Sequence, residues 1–236
     1  MTTTRPVPAD YQEAVLTLEG TSALLMNSGE VDRDSDVFRD FTLLSQKRGK
    51  NLDDEARLRE MEWALRIYFD DEIGVYIPGK NVKETIRSAA TKWKKGADIQ
   101  RSLVVVDYRI PLLYEGPKTQ QELWDQGFRY SAMVANAGIG RGRVVRTRPM
   151  FPVWSLVTVI AWDPEDLDFD IVQRSVKRAE KYGLGDYRPE FGSFTAELGV
   201  INSERNGTMP NGAKKRDEHR QKAEKAARDR LNARRP

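Results

Sequence analysis

Three aspartates, Asp32, Asp34 and Asp36, alternate along the turn-rich segment NSGEVDRDSD. Clustered carboxylates can hold a divalent cation that activates water or polarises a phosphate, so this segment is the candidate for metal-dependent strand cleavage. The run lacks a complete calcium-loop pattern, and an alternating Asp-rich turn is equally at home in solvent. Four arginines, Arg141, Arg143, Arg146 and Arg148, lie within eight residues. On a strand Arg146 and Arg148 share a face. With Tyr130, Phe151 and Trp154 nearby, they can form a charged groove with stacking platforms for unpaired bases. The same residues also suit an exposed hairpin arm whose arginines pair with Asp and Glu and whose aromatics are core.

Two glycine-bearing segments offer a third kind of chemistry. Pro78-Gly79 precedes Lys80, Lys83 and Arg87, and Gly183, Gly185 and Gly192 punctuate the run GLGDYRPEFG, which also carries Arg188. Such glycines permit positive φ and close backbone approach, so successive N–H groups can form an anion nest beside a helix N-terminus. The alternative is that both segments only cap and turn the chain.

Composition removes many other centres. The 236 residues contain no cysteine and one histidine, which excludes disulfides, zinc-thiolate sites, iron–sulfur clusters and cysteine nucleophiles. This usage fits a reducing compartment, so a cytoplasmic protein is expected. His219 lies in the tail, far in sequence from any pocket former, and is expected as a solvated helix residue. No cofactor is expected. No apolar run approaches the ~20 residues that a bilayer-spanning helix needs, and Met1 to Asp10 lacks the features of an export signal, so no membrane partner is expected. Charge is unevenly divided. Residues Ser203 to Pro236 hold 11 Lys and Arg against 5 Asp and Glu, which leaves 28 against 31 in residues 1–202. Any nucleic-acid contact by the body must therefore rest on local basic clusters, with the tail free to track phosphates, to meet a partner's acidic surface or only to solubilise.

The elements that position these groups follow from periodicity. Glu13 to Met26 alternates as a first core strand, with Gly20 marking a bulge or a close backbone approach. Helices are expected over Val37 to Lys47 and Leu52 to Phe69, the second burying Leu58, Met61, Leu65 and Tyr68. After the strand Gly74 to Ile77, Asn81 and Glu84 form a capping-box pattern for a helix running to Trp93. Leu103 to Asp107 reads as a buried strand that Arg109 to Tyr114 continues. RVVRTRPMF and VWSLVTVIAW read as a hairpin joined around Pro152. Asp168 to Tyr182 is helical, and SFTAELGVI is the last strand. The tail is helix-prone with almost no apolar face, so it is expected to be mobile and to build no core. The order fits an α+β fold: an elaborated ferredoxin-like or RRM-like βαββαβ core over residues 11–202 with a helical insertion at about 37–70. A flexible linker and basic helical tail occupy 203–236.

Two motifs carry a family resemblance. Tyr76-Ile77-Pro78-Gly79-Lys80-Asn81-Val82-Lys83 resembles the IPGSSLKG pattern that opens the first helix of the RAMP superfamily, the RNA-binding backbone subunits of CRISPR effector complexes. Gly183 to Gly192 is similar to that superfamily's glycine-rich loop. Lys80 and Asn81 stand where the family has small residues, and Asp186 and Glu190 add charge that opposes phosphate. The resemblance implies binding along a single-stranded RNA or DNA backbone, often as repeated protomers on one strand, and the chemistry of the same segments puts Lys80, Lys83, Arg87, Gly183, Gly185 and Arg188 in contact. The leading expectation is thus a non-catalytic single-strand binder that also uses Arg141, Arg143, Arg146 and Arg148. The alternatives are a metal-dependent endoribonuclease using Asp32, Asp34 or Asp36, and a structural or viral assembly protein.

Overall fold

The computed structural model describes residues 4–135, 143–201 and 210–234. In chain order the elements are β1 (Gln12–Gly20), β2 (Leu24–Leu25), α1 (Asp36–Gln46), α2 (Leu52–Ala64), β3 (Phe69–Asp70), β4 (Gly74–Pro78) and α3 (Gly79–Ala90). A 3-10 turn, Thr91–Trp93, extends α3, and then come α4 (Gly96–Ser102), β5 (Leu103–Val105), β6 (Arg109–Pro111), α5 (Gln120–Asp125) and β7 (Arg129–Ala135). The chain ends with β8 (Arg143–Phe151), β9 (Ser155–Trp162), α6 (Phe169–Ala179), β10 (Phe194–Ile201) and α7 (Pro210–Ala233). These elements form two compact units, one of residues 1–24, 70–115 and 152–236, the other of 25–69 and 116–151.

The first unit is built on a four-stranded sheet ordered β10-β1-β9-β5, with every neighbouring pair antiparallel. With α3 between β1 and β5, and α6 between β9 and β10, this is the ferredoxin-like strand order expected from the sequence. Alternation along β1 sorts the two faces. Leu16 and Leu18 meet Val82, Ile86, Val176, Ala179, Leu184 and Phe194 from α3, α6, the following loop and β10. Val15 instead joins Val157, Val159, Ala161 and Ile201, packed against Ala227 and Leu231 of α7. β9 is buried along its whole length because both faces of its sheet are covered. Gly20 makes the close approach that its place suggested, since a Cβ there would lie 2.2 Å from the Trp154 indole nitrogen.

The second unit contains the β2-β8-β7 sheet and the α1–α2 pair. β7 and β8 pair antiparallel from Arg129 opposite Pro149 to Ala135 opposite Arg143. The helices begin as their caps dictate: Ser35 accepts from the Phe38 N–H, and Asn51 and Asp54 form a reciprocal capping box.

Three expectations need correcting. β8 and β9 do not form a hairpin; β8 pairs with β7 and β9 with β1 and β5. The continuous apolar run of β9 suits a central strand covered on both faces, whereas β8 carries arginines to a half-covered sheet. α2 ends at Ala64 and its buried residues are Glu62 and Trp63; of the expected face, Leu58, Met61 and Leu65 are half-buried and Tyr68 is buried beyond the helix. The tail has an apolar face after all: Ala227 and Leu231 are buried, and Ala223 packs beside them. Small alanines let the helix lie close to the sheet, so a narrow stripe suffices. The linker segment 203–209 lies outside the described residues.

Candidate nucleic-acid interface

In the first unit, β4 ends at Pro78, whose extended backbone (φ −60, ψ 133) turns directly into α3. The Gly79 N–H donates to the Tyr108 carbonyl at 2.9 Å, and an added Cβ at Gly79 would lie 2.2 Å from the Asp107 carbonyl oxygen. The helix therefore starts two residues before Asn81, and no side chain caps it. Asn81 is a first-turn residue rather than the cap. Glu84 accepts from Arg87 Nε at 2.7 Å and from Ser88 Oγ at 3.3 Å. These bonds, Arg87's first, hold its carboxyl below the usual carboxylate range.

Beside this helix start lies a cleft of about 200 Å³ lined by Arg5, Gly79, Lys80, Lys83, Glu84, Gln100 and Val105. Lys80 is exposed and Lys83 half-buried. Lys83 donates to the Gln100 carbonyl at 2.8 Å, and burial together with the positive charge of Arg5 depresses its pKa. Arg5 was not foreseen. It reaches the cleft because its backbone N–H donates to the Val106 carbonyl at 2.7 Å, tying the N-terminal segment to the sheet. Its guanidinium lies 4.6 Å from the Tyr108 ring centroid. Its Nε is buried without a hydrogen-bond partner among the described residues. Three cations, Arg5, Lys80 and Lys83, thus line one cleft at a helix N-terminus, with Glu84 as the carboxylate among its walls.

The glycine-rich loop adjoins α3 as expected: Thr85 Oγ1 lies 3.5 Å from the Gly183 carbonyl oxygen, and Arg188 acts electrostatically on Glu84. Most of its N–H groups are used internally. Gly183 donates to Ala179 at 3.2 Å, Leu184 to Gly192 at 2.8 Å and Gly192 to Ala23 at 2.8 Å. Gly192, at φ +72, admits no side chain, because a Cβ would lie 1.6 Å from the Leu184 carbonyl oxygen. The loop is therefore a wound structural turn that presents Arg188 to solvent, with Gly185 at its half-exposed crest.

In the second unit, Glu62 gathers the β8 arginines. Its Oε1 accepts from Arg148 Nη1 at 3.1 Å and Arg146 Nη1 at 3.2 Å, while Oε2 accepts from the Thr147 N–H at 3.0 Å. The Arg148 side chain is 10% exposed and that of Arg146 41%. Arg148 is held inside an ion-pair network, Arg146 stands at its margin, and Arg143 is exposed. Arg141 lies outside the described residues. Phe151 is fully buried in this unit, and Trp154 is fully buried in the first, so neither offers a ring to a base.

Asp32, Asp34 and Asp36 are not brought together. Asp32 accepts from the Asp34 N–H at 2.9 Å in a local turn, and Asp36 pairs with Arg39. Among the described residues no group of three carboxylate, imidazole or thiol ligands converges. His219 is exposed on α7, its Nδ1 2.8 Å from the Lys215 carbonyl oxygen. Four of the nine cations in the described tail are engaged with carboxylates of the sheet and its loops: Arg216 with Glu13, Arg220 with Asp107, and Arg230 and Arg234 with Glu19. No helix among the described residues is long and apolar enough to cross a membrane.

No protein-family model matches the chain, and no curated protein matches it. Among solved structures it is similar to a chain of the type III-B Cmr-beta bound to cognate target RNA, determined by cryo-EM, with a TM-score of 0.50 and 12% sequence identity. The likeness covers 82% of this chain and 61% of the other, so this chain spans about three fifths of the length of the one it matches. At this identity the likeness concerns the fold. The α+β fold with a ferredoxin-like sheet, expected from the sequence, is the fold that the two chains share.

Proposed function

We propose that this protein binds single-stranded nucleic acid through its phosphate backbone. The observation that carries the reading is the Arg5–Lys80–Lys83 cleft at the uncapped start of α3, a cationic hollow suited to added negative charge. Phosphodiester oxygens supply that charge, and the helix N-terminus favours them further. Arg188 and Gly185 on the adjoining loop and Arg87 on α3 extend the contacts of this unit, and Arg143 and Arg146 are the contacts of the second unit taken by itself. Arg148 and Gly183 support neighbouring backbone rather than touching the strand. The fold shared with a chain of a Cmr-beta bound to cognate target RNA supports RNA as the strand.

The test is binding of fluorescent single-stranded RNA, single-stranded DNA and duplex DNA at two salt concentrations. Wild-type protein binds single strands with a salt-dependent affinity, and combined Arg5→Ala and Lys83→Gln substitutions weaken binding and lower the salt slope by roughly 1.5 to 2. Equal affinity and slope for the double variant remove the cleft from the function.

A further inference from the structure

The opposite end of α3 carries a second concentration of cations, this time around an aromatic ring. Trp93 closes the 3-10 turn that extends the helix and is half-exposed. Around its ring lie Lys92 at 6.0 Å, Arg174 at 6.0 Å and Arg178 at 5.8 Å, the last two from α6. Arg178 is also 5.8 Å from the Tyr182 ring, and its Nε is buried without a hydrogen-bond partner among the described residues. These separations are at the outer limit of cation–π contact, so the cations crowd the indole without fully covering it.

The backbone here adds an independent sign. Lys94 ends the turn in the left-handed region at φ 59, where its N–H donates to the Thr91 carbonyl at 3.0 Å. Glycine occupies that conformation without cost, whereas lysine is strained in it. The Lys94 side chain is exposed, and among the described residues neither Lys92 nor Lys94 makes an ion pair. Arg174 alone of the surrounding cations has a carboxylate, that of Asp170.

We infer that Trp93, with Lys92, Lys94 and Arg178, is a base-stacking site for an unpaired nucleotide, the indole taking the base and the cations its flanking phosphates. The inference rests on the proposed single-strand binding and adds to it a contact with bases. Such stacking is tolerant of sequence, because every base presents a π-face. The occupant is single-stranded nucleic acid rather than a helical duplex, whose bases are already stacked on one another.

The experiment compares a homopyrimidine single strand with an abasic strand of equal length and charge, using the full chain. Wild-type protein prefers the strand with bases by roughly 5- to 150-fold. Trp93→Ala abolishes that preference while keeping the affinity for the abasic strand, and Trp93→Phe retains most of it. Should Trp93→Ala fold poorly, the exposed pair Lys92→Gln with Lys94→Gln decides instead, by lowering the salt slope by roughly 1.5 to 2. Undiminished base preference in Trp93→Ala, or an unchanged slope in the lysine pair, overturns the stacking site and leaves the phosphate cleft standing. Failure of wild-type protein to bind any single strand overturns both.

Discussion

Arg220 on the C-terminal helix donates at 2.7 Å to the carboxylate of Asp107, whose side chain is completely buried and which also accepts from Thr158 Oγ1 at 2.7 Å. A charge so enclosed depends on its partner. Arg220→Ala leaves Asp107 unpaired and destabilises the fold by roughly 3–5 kcal/mol. Asp107→Asn with Arg220→Met recovers much of that loss, and urea denaturation of the two variants measures the difference.

The Glu62 network separates two arginines that look equivalent on the strand. Arg148→Ala removes an enclosed partner and lowers the stability of the protein by roughly 2–4 kcal/mol, whereas Arg146→Ala, at the margin, costs under about 1 kcal/mol. Thermal unfolding distinguishes them. Equal losses would mean that Glu62 depends on both.

The depressed pKa of Lys83 gives strand binding a particular pH profile. The cationic form binds phosphate, so affinity falls as pH rises through a value below the ordinary 10.5. Lys83→Arg carries the binding to higher pH. Stability moves the other way, because between the depressed and ordinary values the unfolded chain holds a proton that the folded chain has released, so stability rises with pH there. Titrations of binding and of unfolding between pH 8 and 10.5 test both signs.

Gly192 and Gly49 both have positive φ, but only Gly192 is crowded, since nothing lies within 4 Å of a Cβ built on Gly49. Gly49→Ala costs about 1 kcal/mol of local strain. Gly192→Ala must also displace the Leu184 carbonyl, and it destabilises by several-fold more. Parallel melts compare the two.

Much of the ferredoxin-like unit is legible in the residues alone. The alternation of β1, the apolar face of α6 and the two glycine motifs mark its strands and crossovers, and Gly20 announces a close approach. What local pattern does not reveal is partnership over distance. β8 and β9 are adjacent in sequence and equally extended, and only the unbroken apolar run of β9 hints that it is covered on both faces. RYSAMVA, the real partner of β8, alternates too weakly to stand out. Of the cleft, Lys80 and Lys83 are visible from their place after Pro-Gly. Arg5 is not, because a backbone hydrogen bond to Val106, more than 100 residues away in sequence, brings it there. The arginines of β8 look like a groove, but their countercharge Glu62 is 84 residues from Arg146. The tail's three apolar contacts are too sparse to signal burial.

The pairing of α7 with β1 also sets an order of events during synthesis. β1 leaves the ribosome more than 130 residues ahead of its neighbours β9 and β10 and of its covering helix. At ~5–20 residues per second, Glu13 and Glu19 wait on the order of ten seconds or more for the arginines that neutralise them. Through that interval the nascent chain exposes an uncovered, acidic strand, and the sheet closes only when residues 210–234 have emerged.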